Sequence, residues 1–119
     1  MLLTTTPTLQ THEIIDYLGP VFGEAVMGAN VFRDFFAGLS DLAGGRAAGY
    51  EQVLSDSRTV ALNELRRQAS TLGATAVVGL RIDYSTVNNS MLMVCCSGTA
   101  VYCEQLPREE GGSGAQKEI

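Results

Sequence analysis

Residues 90–103, SMLMVCCSGTAVYC, constrain the fold of this chain more than any other stretch. In an extended strand, Met91, Met93, Cys95 and Val101 share one face, and Leu92, Val94, Cys96, Ala100 and Tyr102 share the other. Both faces are apolar, so the strand belongs inside a sheet that is covered on each side. A chain of 119 residues has room for one domain and one core. Two helices can cover one side of such a sheet, and the other side then calls for a second copy of the chain. At about 25 cal/mol per Å² of apolar surface removed from water, roughly a few hundred Å² of such contact contributes several kcal/mol. A homo-oligomer is therefore expected.

The remaining segments supply the other layers. Residues 74–84, ATAVVGLRIDY, place Ala76, Val78, Leu80, Ile82 and Tyr84 on one side and Thr75, Val77, Gly79, Arg81 and Asp83 on the other. Asn88-Asn89 then tolerates the backbone angles of a tight turn, which predicts a hairpin to the strand at 90–103. Residues 2–6 read as a short strand that ends at Pro7. Residues 12–27 read as a longer one, bent at Gly19-Pro20, with Pro20 at an edge or irregularity that needs no ladder donor. A first helix starts at the cap residue Asn30, carries Phe32, Phe36 and Leu39 on one stripe and Val31, Phe35 and Leu42 on another, and stops at Gly44-Gly45. A second runs from about Ala47 to Leu72, with Tyr50, Leu54, Ala61, Leu65, Ala69 and Leu72 at helical spacing and Gly73 closing it. Its polar face carries Glu51, Asp56, Arg58, Arg66 and Arg67. The fold class is thus α+β, a mixed or antiparallel sheet packed on one side by two helices. Residues 105–119 lack apolar periodicity and read as a mobile tail.

Charge and composition exclude several partners. The net charge is −5, with Lys117 as the single lysine, so there is no basic patch for a nucleic acid or an anionic membrane. Apolar runs break off well before the roughly 20 residues of a membrane span. The start, MLLTTTPT, lacks the basic and apolar regions of a secretory signal, which makes the cytoplasm the expected compartment. Three cysteines, an odd number without scaffold spacing, fit free thiols in a reducing environment.

The chemistry-bearing residues form no catalytic constellation. Cys95 and Cys96 are adjacent on a strand and so point to opposite faces, and Cys103 lies roughly 27 Å from Cys95 along an extended chain. The one imidazole, His12, reaches one cysteine at most, and no CxxC, HxH or HExxH spacing occurs. The sulfurs therefore read as fillers of core or interface volume. A metal ion fits only if a ring of subunits gathers several copies of one strand around an axis. Gly44-Gly45-Arg46 reads either as an anion cradle or as a helix stop, with Arg46 paired to Asp41 or Glu51; the Walker spacing is absent. Arg81 and Asp83 sit two apart and can pair, while Asp34 and Asp41 follow an exposed helix side. Nothing orients His12 as a base, and the carboxylates are scattered. The expectation is a protein that is not an enzyme.

Several stretches together resemble one family. They are TTTP at 4–7, YLGPVFGEAVMGANVFRDFFAGLSDLAGGRAAGYE at 17–51, Arg58, GATAVVGLRIDY at 73–84 and MLMVCCSGTAV at 91–101. Over about residues 2–104 the chain resembles the YbjQ-like family, which is labelled heavy-metal-binding. Domain limits of 1–104, followed by the tail, agree with that extent. The resemblance implies a small α+β subunit in a cyclic homopentamer, with a metal or small ligand at subunit boundaries and no established catalytic residues. It also singles out Asn30, Arg33, Asp34, Gly44, Gly45, Arg46, Tyr50, Glu51, Asp83 and Tyr84 as ligand or interface positions. The chain reads GATA where the family has GANA. Cys95-Cys96 stands where small or β-branched residues are usual. The alternatives are an enzyme with a composite site between subunits, in which Arg33, Asp34, Arg46 and Asp83 supply charge, and a purely structural interaction module.

Overall fold

A computed structural model describes residues 1–27, 44–87 and 91–107. The expected first helix, with Asn30, Arg33, Asp34 and Asp41, lies outside the described residues, as do Asn88-Asn89 and most of the C-terminal segment. Four strands and one helix are described: β1 (Leu2–Leu3), β2 (His12–Met27), α1 (Gly44–Thr71), β3 (Ala76–Val87) and β4 (Met91–Gln105). The strands form one mixed sheet in the order β1-β3-β4-β2. The double-sided apolar strand β4 is central, as its composition requires. It pairs antiparallel with β3, in the expected hairpin, and with β2. The short β1 runs parallel to β3. Thr4 and Thr6 extend that pairing, since the Thr4 amide donates to Val77 O at 3.0 Å and the Gly79 amide donates to Thr6 O at 2.9 Å.

β2 is an edge strand, which explains how it accommodates Pro20 without losing a ladder bond. Its register shifts twice, between Ile14 and Asp16 and between Tyr17 and Gly19, so the bend falls beside Gly19-Pro20 as expected. β3 departs from the strict alternation expected of it. Its register with β4 shifts between Val78 and Arg81, and Gly79 adopts a φ of 63°, a left-handed angle that suits glycine. The bulge moves the side chains that follow to the opposite face. Val77, Leu80 and Ile82 therefore pack in the helix-side core, whereas Ala76 and Val78 pack on the other side with Val101 and Cys103.

α1 spans 28 residues and begins three residues earlier than its apolar pattern indicates. Gly44 and Gly45 are its first two residues, where glycine is tolerated at a helix start, and the helix expected to stop at them lies outside the described residues. The C-terminus matches the expectation. Gly73, at φ 82°, lets the Ala74 amide reach Ala69 O at 3.0 Å while its own amide donates to Ser70 O at 2.9 Å, the paired bonds of a Schellman cap. Leu72 falls past the last helical residue and is largely exposed, so it does not join the core stripe.

The buried stripe of α1 is Ser57, Ala61, Leu65 and Ala69, four apart and mostly small. Small residues let the helix backbone approach the sheet closely, and it does so over β2. A Cβ placed on Gly23 would lie 1.9 Å from Ala61 O. Neither backbone can yield easily, so Gly23→Ala is expected to destabilise the chain by at least about 3 kcal/mol, read from the urea midpoint. A loss below about 1 kcal/mol would show that the helix can move off the strand.

Candidate functional site

The cysteines divide as strand geometry requires. Cys96 is buried on the helix side, where its thiol lies 3.3 Å from Ala61 O and 3.5 Å from Gly23 O, at the tightest point between α1 and β2. Burial pushes this thiol above its ordinary pKa, with neighbouring Cys95 acting in the same direction. Cys103 is buried on the opposite face, where its amide donates to the Thr75 hydroxyl at 2.9 Å. His12 Nδ1 lies 2.7 Å from Thr11 Oγ1, and among the described residues no three His, Cys, Asp or Glu side chains converge as metal ligands. Nor does any buried side-chain nitrogen or oxygen among them lack a partner.

Cys95 is the accessible member of the set. On the face away from α1 it stands between Glu24 of β2 and Asp83 of β3, its direct cross-strand partners. Asp83 is engaged by Arg81 at 3.4 Å, the pairing that their spacing predicts. Around this row the face is apolar and open among the described residues: Tyr17, Phe22 and Val26 are 69%, 49% and 58% exposed, and Met91 and Met93 are half-buried. At one end, Leu9 and Ile14 of the same chain close over Ala76, Val78, Val101 and Cys103. The chain thus covers part of the second face itself, which narrows the expectation that another copy must cover all of it.

A second cluster joins residues that sequence spacing leaves far apart. Arg58, half-buried on the polar side of α1, donates from Nη1 to the Tyr84 hydroxyl at 2.9 Å. Glu51 and Arg58, two helical turns apart, line one open groove of about 490 Å³ with Gln52, Leu54 and Ser55 between them. Tyr84 thereby meets Arg58, whereas Asp83, beside it in the chain, points to the other face. Arg46 and Tyr50 lie in the first two turns of α1, and their side chains are outside the described set. Sequence reading assigns Arg58 to a solvated face. The register of β3 that brings Tyr84 to it depends on the bulge at Gly79, which a lone glycine in a strand hints at without locating its effect.

A larger groove of about 700 Å³ lies between β2 and α1, with Phe22 and Val60 on its walls. Arg67 there bonds Glu64 and thereby holds that carboxyl below the usual range, and Glu24 adds a further negative charge. The outer side of β2 is also partly met here, where the Phe22 amide donates to Gln68 Oε1 at 3.0 Å.

Residues 1–104 match the YbjQ family, whose description reads "Putative heavy-metal-binding". The chain belongs to this family. Among solved structures it is similar to a protein of unknown function of the DUF74 family from Pediococcus pentosaceus ATCC 25745, at 16% identity and a TM-score of 0.49, covering 87% of this chain and 98% of that one. In this YbjQ-family chain no helix among the described residues is long and apolar enough to cross a membrane.

The raised Cys96 pKa has a definite sign. The folded state keeps this proton to higher pH than the unfolded state does, so the stabilisation is complete below the unfolded thiol pKa and is lost as pH rises above it. Stability is expected to fall from about pH 8.5 upward, and to fall less steeply in Cys96→Ala. Denaturation midpoints measured from pH 7 to 10.5 check this, and parallel slopes for the two proteins would count against it.

Proposed function

We propose that this chain is a ring-forming binding or scaffold protein of the cytoplasm, not an enzyme, that holds a heavy-metal ion or small ligand where subunits meet. The observation that carries the proposal is the open apolar face of β2 and β4, with Tyr17, Phe22 and Val26 exposed beside half-buried Met93 and Cys95. A second copy is its proposed cover. The chain also offers two unlike sheet edges: the outer side of β2, and the side of β3 beyond Leu80, where β1 and its extension no longer pair among the described residues. Two unlike edges make a head-to-tail contact, and such contacts close into rings when the rotation permits. The family resemblance supports five members.

Metal binding draws support from the family description and from the Glu24, Cys95 and Asp83 row on that same face. One thiolate between two carboxylates does not by itself complete a soft-metal site, so the remaining ligands would come from an adjoining copy. Free cysteines agree with a reducing compartment.

Light scattering on the full chain is expected to give a mass several times that of the 12.7 kDa subunit. Val26→Lys, at a position 58% exposed, should release monomers that stay folded, with a cooperative unfolding transition and a wild-type circular dichroism spectrum. A wild-type monomer at micromolar concentration sinks the ring. Elemental analysis of untagged protein should find metal in fixed ratio to the ring, lost in Cys95→Ser. Equal metal content in that variant excludes Cys95 as a ligand.

A further inference from the structure

We propose that the groove beside Arg58 is a binding site for a small oxyanion, a phosphate or a phosphate-bearing metabolite, contained within one subunit. The Tyr84 hydroxyl takes one guanidinium N–H of Arg58 at 2.9 Å and holds the planar fork half-buried at the groove wall. An arginine presents five N–H donors, so this bond leaves most of them for a ligand and fixes the direction in which they point. The tyrosine is itself left with a proton to donate, because its oxygen is the acceptor in the Arg58 bond. Ser55 lies one turn before Arg58 on the same helix side and lines the same groove, adding a hydroxyl. The guanidinium and the Ser55 hydroxyl face one opening, with the Tyr84 phenol bonded to the guanidinium, and these donors suit tetrahedral oxygens.

The other charges around the groove bear on the choice of ligand. The ion pairs among the described residues are Arg67 with Glu64 and Arg81 with Asp83, and Arg58 belongs to neither. Asp56 accepts from Gln52 Nε2 at 2.8 Å, which occupies that carboxylate with a neutral partner. Glu51 stands two turns from Arg58 at the far end of the groove and opposes an anion there. The site therefore favours a ligand whose charge sits at the Arg58 end. Affinity is expected in the range where one carboxylate makes a measurable difference. Arg58, Ser55 and Glu51 lie on α1, away from the proposed sheet-edge contact, and only Tyr84 belongs to the β3 edge, so the α1 donors test the site separately from the ring.

Calorimetric titration of the full chain with inorganic phosphate, with amide shifts followed by NMR, tests the proposal. Wild type should show saturable binding, with shifts concentrated at residues 51–58 and at Tyr84. Arg58→Lys keeps the charge but loses the fork, and should weaken binding at least tenfold. Tyr84→Phe should weaken it severalfold. Glu51→Gln should tighten it, an outcome that damage to the fold cannot mimic. Absence of saturable binding in wild type overturns the site, and so does an unchanged affinity in both Arg58→Lys and Glu51→Gln. Repeating the titration on Val26→Lys separates this result from the ring, because the phosphate affinity should persist in monomers.

Discussion

The contact of Ala61 with Gly23 sets the distance between α1 and the sheet, and the rest of the structure is arranged around it. With no side chain on Gly23, the helix backbone comes to rest directly against an edge strand, and the Cys96 thiol fits between the two carbonyls. Close packing of this kind uses small side chains because each added methyl must displace atoms that already fill the interior. It explains why the buried stripe of a 28-residue helix is Ser57, Ala61, Leu65 and Ala69, with one bulky residue among them. It also places the helix over β2 and β4, where Val21, Val94, Cys96 and Ala100 form the core with Leu65.

An off-centre helix leaves the two sides of the sheet unequal. One side has a closed core. On the other, among the described residues, Leu9 packs against Val101 and Cys103 beside Ile14 of β2, and the remainder presents methionines, a thiol and three large exposed side chains. A central strand apolar on both faces is stable in isolation only to the extent that each face is removed from water. Coverage by the N-terminal segment answers that constraint along one part of β4, and the proposed subunit contact would answer it along the rest.

Much of this was legible in the residues. The limits of β2 agree with its β-rich run, Gly73 marks the helix end, and the opposed orientation of Cys95 and Cys96 follows from strand geometry alone. The faces of β3 were not legible, because alternation assumes an unbroken register and the bulge at Gly79 inserts a step that periodicity cannot see. Gly44-Gly45 marks a helix boundary, and the structure shows it as the start of α1. Arg58 was legible as a polar helix residue, but its partner lies 26 residues away, on a strand whose facing depends on that bulge.

The sequence by itself determined the α+β class, the hairpin, the two apolar faces of β4 and the net negative charge, because these follow from composition, periodicity and the reach of an extended backbone. Only the tertiary structure decided which side of the sheet the helix covers, which residues of β3 accompany it, and that Arg58, on one groove with Glu51, bonds Tyr84. Those outcomes depend on contacts between segments distant in the chain. A single added residue in one register is enough to change them all, and nothing in the local pattern of side chains records it.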